Sequence, residues 1–215
     1  MKPSRRRHGA KPLARSALPI DTAALARFLI GKLLVRELPE GVGSGRIVET
    51  EAYVIGDAAG HAYGGMTPRN RSLFLERGHA YVYLAYGVSF MLNVSSEASG
   101  TGAGVLIRAL EPVEGVSIMR QNRGVERLRD LTRGPGRLAQ ALRIDRSLDG
   151  LDLCQEGPLW LAGGDPSGTG ETEIGESVRI GISREAERVL RFYLRGSPFV
   201  SGAKSLNQRD CGVLY

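Results

Sequence analysis

Residues 46–53 read Arg-Ile-Val-Glu-Thr-Glu-Ala-Tyr, and no other run restricts the fold as tightly. Read as a strand, the run turns alternate side chains to opposite faces. Ile47, Glu49, Glu51 and Tyr53 then share one face, while Val48 and Ala52 mark the other as buried. Two carboxylates between Ile and Tyr make a poor core face and an odd solvent face. Held close, Glu49 and Glu51 repel each other unless one is protonated or a cation pairs with them. Such pairs recur where an acid or a base is needed. An edge strand with two solvated glutamates fits the same letters, so the run alone leaves both readings open.

A cation is at hand. Arg108 interrupts the apolar run 104–110, where an unpaired charge is costly, so it is expected to pair with Glu51 or Glu49. Further strands are expected at 33–37, 80–84, 88–94, 104–110 (stopped by Pro112), 178–183 and 190–194, with 39–45 a turn-rich connection. Asp21 and Thr22 start a helix carrying Leu25, Phe28 and Leu29 on one face, and Gly31 stops it. Helices are also expected over 114–122 and 136–142, a loop over 56–72, and no assignment is made for 145–177. With 215 residues, 42% of them hydrophobic, the chain suits one core. The expected fold class is α+β: a single compact domain, mostly antiparallel curved sheet with surrounding helices and a protruding β-hairpin.

Charge divides the chain. Residues 1–16 hold six basic residues and no acid, which leaves 23 basic against 23 acidic residues in the rest of a +6 chain. Without a hydrophobic period, 1–17 is expected to be a disordered basic arm that tracks phosphates. A solubilising tail or a transit peptide has the same composition. The catalytic domain is expected over 18–203, and 204–215 is a C-terminal tail. No stretch reaches the ~20 apolar residues of a membrane span, and no secretory signal opens the chain. Cys154 and Cys211 lack metal-type spacing, and His61 lacks a ligand partner, so neither a metal nor a cofactor is expected. A reducing compartment follows, a bacterial cytoplasm in the first instance and a nucleus as the alternative; a Cys154–Cys211 disulfide is not expected.

Three more segments carry chemistry. In His61-Ala-Tyr-Gly-Gly-Met-Thr-Pro-Arg-Asn-Arg71, Arg69 and Arg71 are available to phosphates and Asn70 to cap backbone. His61 is either structural or a stacking partner for a base. Tyr81 and Tyr83 share a strand face, and Tyr86 stands with Gly87 at a hairpin tip. A bulky tip residue can wedge between DNA bases from the minor groove, or simply rest on its own hairpin. The turn Gly134-Pro135-Gly136, followed by Arg137, opens a helix whose amides face a possible phosphate. Only Lys32 and Lys204 are lysines of the body, and neither lies in a motif, so water is favoured over an amine as nucleophile.

The runs RIVETEAY, HAYGGMTPRNR, YVYLAYG with LN after it, VLIRALEP, GPGRLAQAL and FYLRGSPFVS occur in this order over residues 20–202. In order and spacing the chain resembles the alkyladenine (3-methyladenine) DNA glycosylase family. The resemblance implies a monofunctional enzyme that flips damaged purines, alkylated or deaminated, out of double-stranded DNA and hydrolyses their bond to the sugar. It implies Glu51 as the carboxylate that activates water and Arg108 as the arginine beside that water. Tyr53, His61 and Tyr83 would sandwich the flipped base, Asn93 would clash with the 2-amino group of guanine, and Tyr86 would fill the gap left in the stack. The expected partner is duplex DNA bound by a monomer.

Overall fold

The computed structural model describes residues 9–164 and 173–207. Along these residues the elements run α1 (Thr22–Leu29), β1 (Leu33–Leu38), β2 (Gly41–Tyr53), β3 (Ala80–Ala85), β4 (Ser89–Ser95), β5 (Gly104–Glu114), α2 (Val116–Arg123), α3 (Pro135–Ala141), β6 (Leu159–Ala162), β7 (Ile174–Ser177) and β8 (Arg191–Leu194). The sheet order is β3-β4-β5-β2-β1-β6, with β8 paired to β2 and β7 to β8, and the pairings are antiparallel. The sheet curls into a half-barrel around which the three helices pack, so the α+β expectation holds.

Helix α1 begins where the sequence indicates. The Asp21 carboxylate accepts the Ala24 N–H at 2.7 Å, satisfying one donor of the first turn. Leu25, Ala26 and Leu29 are buried against the sheet, and Gly31 takes a positive φ of 85° just past the end. The Thr50 hydroxyl donates to the Ala26 carbonyl at 2.9 Å, tying α1 to β2.

The expected turn-rich connection at 39–45 is mostly strand. Pro39 and Glu40 alone make the turn, and Gly41, Gly43 and Gly45 lie inside β2. Gly45 is needed there because a Cβ would stand 2.9 Å from Leu110 Cβ and 3.0 Å from the Glu111 carbonyl. Pro112 likewise does not stop β5, which runs on to Glu114. It pairs with Gly45 beside a register shift, the kind of irregularity at which a strand accommodates proline.

The expected strand at 178–183 is absent: β7 ends at Ser177, and the following residues form bends whose polar groups go to the site instead. The unassigned stretch 145–177 contains β6 and β7. The arm expected to be disordered over 1–17 is ordered where it is described. Leu13 N–H donates to the Leu161 carbonyl at 2.9 Å, Trp160 Nε1 donates to the Ala10 carbonyl at 3.2 Å, and Arg15 pairs with Asp152 at 2.6 Å. A short apolar anchor and the ion pairs of Arg15 with Asp152 and Glu76 outweigh the polar composition of that segment. Residues 1–8, and residues 208–215 with Cys211, lie outside the described residues.

Candidate active site

Two bulges face each other across the pair β2–β5. Ile47 pairs with Leu110, Glu49 with Ala109 and Thr50 with Ile107, so Val48 and Arg108 are each left without a cross-strand partner. A bulge re-aims the side chains around it. Ile47 joins Ala52 in the main core, while Val48 packs with Ala109 and Phe199 in a separate cluster. The simple alternation that put Ile47 on the face of the glutamates is therefore broken at Val48. Glu49 and Glu51 remain together, and Arg108 reaches both: Nε lies 3.1 Å from Glu49 Oε1 and Nη1 3.1 Å from Glu51 Oε2. Both carboxylates are 0% exposed, which excludes the solvated-edge reading.

The two carboxylates have unlike surroundings. Glu49 also accepts from Arg191 Nε at 2.6 Å, from the Ser201 N–H at 2.6 Å and from the Ser201 hydroxyl at 3.0 Å. Burial acts to raise its pKa, but the charges of Arg108 and Arg191 and these donors together hold it below the ordinary value. Glu51 shares Arg108 and accepts the Ile180 N–H at 2.7 Å and the Tyr53 hydroxyl at 3.1 Å. Here burial wins, helped by the negative charge of Glu49, and the pKa is raised. Burial is also the largest influence on Arg108 and opposes its charge, yet Glu51 and Glu49 overcome it and raise the guanidinium pKa. The pair is thus split into a fixed anion and a carboxylate whose proton affinity moves toward neutrality.

Above this centre lies a cavity of about 590 Å3. Its lining includes Tyr53, His61, Tyr83, Asn93, Arg108 and Ile180, so the groups that touch Glu51 also face the cavity. Tyr53 comes from β2, Tyr83 from β3, Asn93 from β4 and Arg108 from β5. His61 comes from the loop after β2. Its ring stands 4.4 Å from that of Tyr83, and its Nδ1 lies 2.9 Å from the Tyr81 hydroxyl. Tyr81 is buried, stacks on Tyr83 at 5.4 Å and lines the cavity beside it. Burial, then the neighbouring Tyr83, pushes its phenol up to about 12. Desolvation, then the charge of Arg69, lowers the His61 imidazole. Asn70 closes the His61 loop by donating to the carbonyls of His61 at 2.8 Å and Gly65 at 3.0 Å. The Asn93 amide is buried and donates to the Tyr81 carbonyl at 3.3 Å.

At the rim, β3 and β4 form the protruding hairpin. Tyr86 lines the cavity mouth, is 94% exposed and takes a φ of 50°; Gly87 follows at 69° and Val88 is 82% exposed. Two successive positive φ values suit a tight hairpin turn, and the tyrosine does not rest on its own hairpin. Gly134 caps α3, and Pro135 lines the cavity. A Cβ on Gly136 would come within 2.8 Å of Ser89 Cβ, so this glycine lets α3 approach β4. Arg69, Arg71 and Arg137 are exposed, and Arg137 Nη1 lies 3.9 Å from Asp130.

Sequence reasoning missed Arg191, Arg179, Ile180, Ser201 and Asp57. The argument that singled out Arg108, a charge inside an apolar run, applies equally to Arg191 before Phe-Tyr-Leu and to Arg179 between Val178 and Ile180. Ile180 acts through its backbone, and Asp57 sits in a Gly- and Ala-rich loop, so neither gave a signal.

A buried pair of unlike carboxylates under an aromatic pocket, beside an exposed hairpin tip, defines a hydrolytic site open to a large ligand. The chain belongs to the methylpurine-DNA glycosylase family, whose model matches residues 16–198. A protein of Mesorhizobium japonicum is 76% identical over 92% of this chain and 93% of its own length; it bears the provisional name 3-methyladenine DNA glycosylase. One of Paraburkholderia phytofirmans with the same provisional name is 53% identical over 91% of this chain and 90% of its own length. The DNA-3-methyladenine glycosylase of Homo sapiens is 45% identical over 86% of this chain and 66% of its own length. The chain is a DNA N-glycosylase, a hydrolase of base excision repair.

Proposed function

We propose that the chain flips an alkylated or deaminated purine out of duplex DNA and hydrolyses its N-glycosidic bond with Glu51 as general base. The observation that carries this reading is the position of Glu51: its pKa is raised by burial, and three partners that line the aromatic cavity hold it. As the bond from the base to the sugar C1′ breaks, its electron pair leaves with the base and positive charge grows on the sugar. A water molecule attacks C1′, and Glu51 takes its proton. Arg108 orients Glu51 and the water. A neutral base such as hypoxanthine must gain a proton as it leaves, whereas an N3-alkylated purine already carries the positive charge.

Tyr53, His61 and Tyr83 form the sandwich for the base, and their π faces favour a cationic purine. A lowered imidazole pKa suits His61 to that task, because a neutral ring does not repel a cationic base. Asn93 stands as the gate against a 2-amino group. Tyr86 is the wedge that fills the vacated stack, and Arg69, Arg71, Arg137 and the Gly134–Gly136 turn hold the backbone. Because one chain supplies every one of these groups, we read the enzyme as a monomer.

The test uses duplexes holding one hypoxanthine or one ethenoadenine, incubated with the protein and then treated with alkali. Strand breaks that need the alkali step support a monofunctional glycosylase. Glu51→Gln is expected to retain lesion binding while losing cleavage by at least the ~10²–10⁴-fold of an acid–base group. Loss of binding together with cleavage would make Glu51 structural.

A further inference from the structure

Glu51 is held by two donors besides Arg108, and both lead to one ion pair. The Ile180 N–H belongs to the residue after Arg179, and the Arg179 guanidinium lies over the Tyr53 ring, 4.7 Å from its centroid. Arg179 is buried and bidentate on Asp57: Nη1 bonds Oδ2, and Nη2 lies 3.1 Å from Oδ1. It also donates to the Ala52 carbonyl at 3.0 Å, next to Glu51 in β2. Asp57 in turn shapes the far wall. Its Oδ1 accepts the Ala59 N–H at 3.0 Å and its carbonyl accepts the Gly60 N–H at 2.9 Å, immediately before His61.

We propose that the Asp57–Arg179 ion pair is a positioning clamp for the reaction: it holds the Ile180 N–H and the Tyr53 hydroxyl on Glu51 and aligns the Tyr53 and His61 walls. Neither residue touches the base. A planar fork locked on one carboxylate fixes both the loop that follows it and the ring beneath it. The inference deepens the assignment of Glu51 as the base and rests on it. Its distinctive consequence concerns Glu51. Hydrogen bonds donated to a carboxylate favour its charged form, so a loosened clamp raises the pH at which Glu51 loses its proton. The other groups around Glu51 are Glu49 and Tyr53 on β2, Arg108 on β5, Tyr83 on β3 and, through Glu49, Arg191 on β8. All of them remain when the clamp is changed, but Arg179 and Asp57 are charged as well, so a variant that removes the Asp57 charge leaves the Arg179 cation unpaired near Glu51.

The experiment measures single-turnover release of 3-methyladenine from methylated duplex DNA across pH, with enzyme in excess, for the parent, Asp57→Asn, Asp57→Glu, Arg179→Lys and Glu51→Gln. That base is already cationic, so the acid limb of the profile reports groups of the enzyme, and the same profile for His61→Gln separates the imidazole from Glu51. Arg179→Lys, which keeps both charges and loses only the fork, is expected to move the limb up by about one pH unit, a tenfold loss below the midpoint with a smaller loss on the plateau. Asp57→Glu, which keeps the charge on a longer side chain, is expected to shift the limb the same way, which covers the case that Arg179→Lys does not fold. Asp57→Asn is expected to shift it less than Arg179→Lys, because the unpaired Arg179 charge opposes the lost hydrogen bonds. An unmoved midpoint in the folded variants, with rates lowered in parallel at every pH, would overturn the clamp and leave the pair as fold stabilisation. Parent-like cleavage by Glu51→Gln would instead overturn the assignment of the base, and the clamp with it.

Discussion

Glu49 and Glu51 are two residues apart, share Arg108 and are equally buried, yet their partners divide them into unlike roles. Glu49 has a depressed pKa, so its stabilisation is present above the ordinary carboxylate value of 4.5 and is lost as pH falls through the lower folded value. Glu49→Gln leaves Arg191 and Arg108 under-compensated and is expected to cost about 3–5 kcal/mol in urea unfolding at neutral pH. Glu51 has a raised pKa, so the sign reverses: its contribution is favourable only below the ordinary value, and its ionised form at neutral pH works against folding. Glu51→Gln relieves that cost but also removes a charge that stabilises Arg108, so it is expected to change stability at pH 7 much less than Glu49→Gln while being inactive, by the same unfolding measurement. A large loss of stability in that variant would mean that the Glu51–Arg108 pair is there for the fold. Both glutamates and Arg108 were legible as a site, because charges in apolar strands demand partners. The unequal pKa values were not, since they depend on Arg191, Ser201 and Ile180 arriving from distant chain.

At the scale of elements, the β3–β4 hairpin and α3 act together. Tyr86 at a φ of 50° is strained for a bulky side chain, a conformation that costs of order 1–3 kcal/mol. Asparagine tolerates that region, so Tyr86→Asn is expected to raise the melting temperature while weakening retention of a flipped base. A 2-aminopurine fluorescence signal beside the lesion reports the latter, and an unchanged signal would count against the wedge. Gly136→Ala should lose about 1–3 kcal/mol by overpacking against Ser89, and the double variant with Ser89→Gly should recover most of it. The hairpin and its tip were readable from period-two runs around Tyr86-Gly87. The opposed bulges at Val48 and Arg108 were not, because a bulge is a property of two strands in register and leaves no mark in either alone.

Across the whole molecule, the surplus of positive charge lies at the N-terminus. Its residues 10–17 are part of the packed domain, joined to β6 and to Asp152, so Arg15 is committed to an ion pair and the phosphate-tracking role expected of the arm falls to the four basic residues of 1–8 and the exposed Lys11. Deleting 1–8 is expected to flatten the slope of log affinity against log salt by up to about three to four. Deleting 1–16 should flatten it further and lower the melting temperature. An equal slope for the parent and the shorter deletion would make residues 1–8 inert in DNA binding.

The sequence by itself determined the class of fold, the start of α1, the hairpin and the pairing of Arg108 with Glu49 or Glu51, because periodicity, capping and the cost of a buried charge act on neighbouring residues, whereas the grouping of Tyr53, His61, Tyr83 and Asn93 came only through the resemblance to the glycosylase family. Tertiary structure decided which carboxylate is held as an anion and which has its pKa raised. It also turned the expected strand at 178–183 into the loop that brings Ile180 to Glu51. The physical reason is that β propensity in Val-Arg-Ile-Gly-Ile is a weak local preference. A bidentate buried ion pair between Arg179 and Asp57, together with a hydrogen bond to Glu51, is a long-range gain that overrides it.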